Sequence, residues 1–234
     1  MRIAVMQPYF LPYIGYWQLL RAVDTFVVLD DVNYINRGWI NRNRIAVSGE
    51  PCWMTLPLVR ASQNKLISEI DLLPDDGWKS RLMKKVEASY QGELSFLPTM
   101  RLFQELMECA QGNLSAFVAG SIQRMCGRLG LATEIIPTSH IFPKGDLKGQ
   151  YRILDICTTL GADEYLNPPG GRDLYDSVLF ADSGIKLLFL DAPKMELGLK
   201  SGSRSGETLS LLDTLMINRL GDIRTALSQF HIRK

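Results

Sequence analysis

Two short, almost uninterrupted apolar runs, RIAVM at residues 2–6 and TFVVL at 25–29, do most to limit what this chain can fold into. Both are rich in β-branched residues, a composition that suits strands covered on both faces. Between them YIGYWQLLRAVD, residues 13–24, carries apolar residues at helical spacing. A strand, a loop, a helix and a second strand in that order require a parallel pair joined by a right-handed crossover.

A second series of the same kind occupies the other end of the chain. ATEIIPTS (132–139) reads as a strand, LKGQYRILDICTTLG (147–161) as an amphipathic helix and DEYLNP (163–168) as a short strand. A Gly-rich turn, a short helix near LYDSVLFADSG, the strand IKLLFLD (185–191) and a helical pair from about Leu209 complete it. The middle differs, with extended segments from Cys52 to Leu73 followed by helices such as WKSRLMKKVEASY and LFQELMECA. The expected fold is therefore α/β and Rossmann-like. Its mainly parallel sheet is built from the N- and C-terminal βα units of one domain, residues 1–234, with a helical insertion at about 77–130. A chain of 234 residues buries about 70% of its extended surface in such a fold.

Composition removes several function classes. Lys and Arg number 26 against 25 Asp and Glu, so binding of nucleic acid through bulk electrostatics is not expected. The opening MRIAVMQPYFLPYIGYWQLL is interrupted by Gln7, Pro8 and Pro12, with no small-residue cleavage site after it, and reads as structure rather than a signal peptide. No stretch of about 18 apolar residues occurs elsewhere. The four cysteines form no CxxC pair and the two histidines, His140 and His231, form no cluster, which speaks against a zinc site. Buried thiols, no membrane span and a cytoplasmic location are the expectations.

Ligands of open parallel sheets bind beyond the carboxyl ends of the strands, so the residues there are the first candidates. After the first strand stand Gln7, Tyr9, Tyr13, Gly15 and Tyr16, in a loop stiffened by two prolines, with Gly15 at a helix entrance where an anion could approach the amides. After the second come Asp30 and Asp31. If the strand persists they point to opposite faces, one to hold a metal or sugar hydroxyl and the other to cap a turn. Tyr34, Arg37, Trp39, Asn41, Arg42, Asn43 and Arg44 follow, with three guanidiniums suited to phosphate or carboxylate and an indole able to stack. They form either a ligand clamp or a basic edge strand with Trp39 in the core. Asn167, Gly170, Gly171 and Arg172 surround a Pro-Pro-Gly-Gly turn after a late strand, serving either close backbone approach to a ligand or the sterics of the turn. Residues 191–208, rich in Gly and Ser, read as a loop over the site or as a plain connection.

The block MQPYFLPYIGYWQLLRAVDTFVVLDDVNYINRGWINRNRI closely resembles the opening of the WbqC-like family, and GADEYLNPPGGRDLY and LSLLDTLMIN extend the resemblance over nearly the whole chain. That family is associated with bacterial surface polysaccharide gene clusters. The resemblance implies a transferase or ligase that modifies a nucleotide-activated sugar, or a non-catalytic binder of one in the same pathway. Its partner would be a small anionic ligand, a nucleotide or nucleotide sugar, and a nucleotide with magnesium is the cofactor considered. By position, YIGY is also similar to the HxGH signature of nucleotidylyltransferases, with Tyr13 and Tyr16 in place of the histidines. Tyr13 and Tyr16 by that likeness, and Asp30 and Asp31 by their place after the second strand, are the expected catalytic residues, and the others named above bind ligand.

Overall fold

The computed structural model describes residues 1–192, 197 and 209–234. Most of the Gly- and Ser-rich stretch singled out above, 193–196 and 198–208, lies outside the described residues. The fold is a Rossmann-like α/β fold around a six-stranded sheet. Its strands are β1 (Arg2–Met6), β2 (Thr25–Val28), β7 (Glu134–Ile136), β8 (Glu164–Asn167), β9 (Lys186–Asp191) and β10 (His231–Arg233), in the order β10-β9-β8-β1-β2-β7. All neighbours pair in parallel except β10, which runs antiparallel to β9. That last strand carries only three residues and no apolar run, so periodicity gave it no signal.

Each strand is lined alternately by two cores, because successive side chains leave opposite faces. Ala4, Phe26, Val28, Leu166, Leu188 and Leu190 pack on one side against α1 (Ile14–Arg21), α4 (Leu114–Leu129), α7 (Leu211–Ile217) and α8 (Leu220–Ala226). Ile3, Val5, Val27, Tyr165, Leu187 and Phe189 pack on the other against α5 (Gly149–Thr159) and α6 (Ser177–Asp182).

The segment between β2 and β7 adds a hairpin, β3 (Arg42–Val47) with β4 (Glu50–Thr55), then the short pair β5 (Leu58–Val59) and β6 (Asp71–Leu72). Helices α2 (Trp78–Tyr90) and α3 (Phe96–Glu108) precede α4. A buried hydroxyl fastens this segment to the C-terminus. Tyr90 donates a short hydrogen bond to Asp213 at the start of α7, and the Ala46 amide donates to both, at 3.0 and 3.2 Å. Arg42, Asn43 and Arg44 thus stand on a strand, the edge-strand alternative of the sequence reading, while Trp39 is half-buried.

Candidate functional site

The chain leaves β1 toward β2 on one side, and β8 toward β9 on the other, although β1 and β8 are neighbours. Their carboxyl ends therefore flank the switch point of the sheet, where diverging connections leave a crevice. A cavity of about 460 Å³ opens there, walled by Met6, Gln7, Tyr9 and Tyr13 from the β1 loop and Asn167, Pro168, Gly170 and Gly171 from the β8 loop. Trp39, Leu29, Leu174 and Tyr175 close it.

The β1 loop has almost no hydrogen bonds of its own, and its shape is imposed from outside. Asn43 donates to the carbonyls of Phe10 (3.1 Å) and Leu11 (2.8 Å), Ser210 to that of Leu11 (2.8 Å), and the Trp17 indole to that of Pro12 (2.9 Å). These bonds hold Leu11 at a φ of 43°, a strained value for a non-glycine residue. Tyr16 supports the loop from beneath. It is buried and donates to the Gln7 carbonyl at 2.9 Å. Gly15 leaves room for the Tyr13 ring, since a Cβ there would sit 2.6 Å from its Cε2 and displace it.

In the β8 loop, a 3₁₀ turn from Pro169 to Leu174 begins with the proline that cannot extend the strand. Its Gly171 amide donates to the Pro168 carbonyl (3.0 Å), and a Cβ on Gly171 would lie 2.8 Å from the Asn167 amide nitrogen. Asn167 in turn donates to the Tyr165 hydroxyl (3.2 Å), which is 2.9 Å from that of Tyr175. Gly170 is different: a Cβ there would meet nothing within 4 Å.

Three phenols, Tyr9, Tyr13 and Tyr175, thus border one cleft. Burial raises the pKa of each above the ordinary tyrosine value, aided at Tyr9 by the neighbouring Tyr13 and opposed at Tyr175 by hydrogen bonds from Tyr165 and Asn167. They remain neutral through the physiological range, able to donate, accept and stack.

A second cavity of about 320 Å³ adjoins the first, sharing Leu29, Leu174 and Tyr175. Its distinctive residues are Lys144, Lys148 and Gln150, at the entrance to α5, with Asn33 opposite. Lys144 donates to the Asp31 carbonyl and lies 3.9 Å from the Asp31 carboxylate, whereas Lys148 is exposed. Two amines beside a helix N-terminus make this the cationic end of the cleft. The sequence reading passed over these lysines. They follow the end of β7, and the strand-end rule applied to that strand would have found them.

Asp30 and Asp31 have other work. The strand stops at Val28, and the two carboxylates share the Ser139 hydroxyl while reaching toward opposite faces, Asp30 to Ser115 of α4 and Asp31 to Arg152 of α5. Both oxygens of Asp30 are engaged, Oδ1 by Thr138 Oγ1 (2.9 Å) and the Ser139 amide (3.0 Å), and Oδ2 by Ser115 (2.8 Å). Asp31 accepts from the Ser139 hydroxyl (2.8 Å) and pairs with Arg152 Nη2 at 2.9 Å. Arg152 is 1% exposed and also donates to Asp155 and to the carbonyls of Pro143, Ser139 and Phe142. This network locks the ends of β2 and β7 to α5. Losing one partner of such a buried pair costs about 3–5 kcal/mol.

The remaining candidates divide in the same way. Gln7, Tyr9, Tyr13, Trp39, Asn167, Gly170 and Gly171 meet at the cleft. Tyr34 and Asn41 bond each other (2.8 Å) in the interior, and Asn43 holds the β1 loop. Arg172 lies over Phe189, 4.5 Å from the ring, and donates to the Lys234 carbonyl. Arg37 is exposed, and Arg42 and Arg44 stand on the hairpin against Trp53 and Trp39. Neither part of the cleft is lined by Arg37, Arg42 or Arg172. Among the described residues no group of three or more His, Cys, Asp or Glu could hold a metal, and no helix is long and apolar enough to cross a membrane. Among the described residues, neither cavity is lined by an Asp or Glu.

A sequence profile described as the WbqC-like protein family matches residues 7–225. The chain is also similar to the uncharacterized protein Rv1507c of Mycobacterium tuberculosis (strain ATCC 25618 / H37Rv), 28% identical over 192 residues, or 81% of this chain and 82% of that protein. No solved structure matches the chain.

Proposed function

The chain belongs to the WbqC-like protein family, and from that premise we propose that it is a transferase or ligase acting on a nucleotide-activated sugar, in particular an amino sugar, in the assembly of bacterial surface polysaccharide. The observation that carries this reading is the two-part cleft at the switch point. One part offers neutral phenols, an indole and the amides of Gln7 and Asn167, and the other offers Lys144 and Lys148. Aromatic faces with a few fixed hydrogen-bonding groups suit a sugar or a base, and amines suit the phosphates attached to it. Tyr13, held by Gly15, orients the reacting group. The lysines balance charge on the phosphates, so that catalysis rests on position and electrostatics.

A second reading, a non-catalytic binder of the same ligand, draws on the described lining of both cavities, among which no Asp, Glu, His or Cys stands. Binding and turnover separate the two. Tyr13→Phe keeps ligand in either case and loses product formation only in an enzyme.

The reading is tested by unfolding the protein thermally in the presence of a panel of nucleotide sugars. At a hundredfold excess over Kd, one ligand adds about 2.7 kcal/mol, which raises the Tm of a chain this long by roughly 5–10 °C. Lys148→Ala, weakening binding about tenfold, should roughly halve that shift. A panel that leaves Tm unchanged overturns the proposal.

A further inference from the structure

The arginines after β2 lie outside the cleft, yet they are arranged against aromatic rings. Arg42, on β3, holds its guanidinium 3.9 Å above the Trp53 ring of β4. Arg44, paired across the hairpin with Trp53, lies 5.7 Å from that ring and 5.5 Å from Trp39. The two indoles are 5.4 Å apart. The cluster is partly open to solvent, with Trp53 39% exposed and Arg42, Arg44 and Trp39 half-buried, and it reaches the cleft, because Trp39 also walls the switch-point cavity.

Two features make it a prepared surface. Arg42 is fixed from behind, its Nε donating to the Gly38 carbonyl (3.1 Å) and its Nη2 to that of Arg37, while Nη1 has no hydrogen-bond partner among the described residues. A guanidinium already ordered loses little entropy when it binds an anion. The second feature is size. Arg42 and Arg44 are two residues apart on one strand, about 7 Å, which matches a sugar ring or two and is short for a nucleic-acid strand that typically occupies about four nucleotides or more.

We propose that the Arg42–Trp53–Arg44–Trp39 ladder binds a sugar carrying a carboxylate or phosphate, as the acceptor subsite next to the cleft. Ring C–H groups lie on the negative face of an indole, and the acidic group meets the Nη1 edge of Arg42. The role as acceptor subsite rests on the reading of the cleft given above, whereas the binding does not.

Digalacturonate serves as the acidic probe and maltose as the neutral one, followed by saturation-transfer NMR and tryptophan emission on the full chain. Digalacturonate is expected to bind and perturb emission, with maltose at least tenfold weaker. Arg42→Gln, at a half-buried position, and Trp53→Ala, at an exposed one, both checked by their melting curves, should each weaken the acid about tenfold. Lys148→Ala separates the two proposals, because the ladder keeps its affinity for digalacturonate where the cleft holds nucleotide more weakly. The inference is overturned if neither sugar binds, if both bind alike, if the two ladder variants bind as the parent does, or if oligothymidylate binds the ladder more tightly than digalacturonate.

Discussion

At the scale of single residues, adjacent glycines in the β8 loop make opposite predictions. A methyl on Gly171 would press on the Asn167 side chain at 2.8 to 3.2 Å. Asn167 is buried and bonded to Tyr165, so it cannot swing away freely. Gly171→Ala should therefore cost about 1–3 kcal/mol, as overpacking does. Gly170 has space around its Cβ position and faces the cavity. Gly170→Val should leave stability within about 0.5 kcal/mol, as surface changes usually do, and should still reduce nucleotide-sugar binding by filling the cleft. Urea unfolding and calorimetric titration of both variants check the pair, and the idea fails if stability and binding fall together in each. The sequence showed two glycines in a turn. It could not show which one served the turn and which the cavity, because the distinction lies in where the Asn167 side chain stands. The same holds for Asp30 and Asp31, whose partners Ser115, Ser139 and Arg152 are more than 80 residues away in the chain.

At the scale of elements, the loop after β1 bears two of the cleft's phenols and owes its shape to side chains from elsewhere. Asn43 is the main clamp, with bonds to the Phe10 and Leu11 carbonyls. Asn43→Ala leaves the Phe10 carbonyl without that donor, while Leu11 keeps Ser210. The expected loss is about 1–3 kcal/mol of stability, with a larger proportional loss of nucleotide-sugar affinity because Tyr9 and Tyr13 ride on the released segment. Comparison of denaturation midpoints with binding constants tests this, and affinity unchanged at lowered stability would refute it. The apolar runs of β1, β2 and β9 were readable from sequence, as were the shorter β7 and β8, the helix α1 between the first pair, and α5 between β7 and β8. Parallel pairing followed from the helices that connect them. The β3–β4 hairpin was harder to read because its outward face alternates Arg42 and Arg44 with Trp53 opposite, a pattern that serves an edge strand and a ligand clamp equally well. The cleft was legible as a set of strand ends and illegible as a set of directions, since which side chains turn inward depends on clamps such as Asn43 and Gly15.

For the whole molecule, stability should decline on the alkaline side, because several buried groups resist losing their protons. Tyr16 and Tyr165 are fully buried, and burial raises both well above the ordinary tyrosine value. The Cys126 and Cys157 thiols are pushed by burial from 9.0 to about 12. In each case the folded-state pKa lies above that of the unfolded chain. The unfolded state therefore releases its proton first as pH rises, and the stability is complete below the unfolded value and lost toward the folded one. For the thiols that window runs from about pH 9 to about pH 12, with a slope approaching 1.4 kcal/mol per pH unit for each. The tyrosines add to the decline above about pH 10. Urea unfolding under reducing conditions at pH 7, 9 and 10.5 should give similar stabilities at the first two and a clear drop at the third. The Cys126→Ala, Cys157→Ala double variant, less stable at pH 7 from its vacated core volume, should show a shallower fall between pH 9 and 10.5. An equal fall in parent and variant would mean that the thiols are not held in the interior as the two faces of the sheet place them.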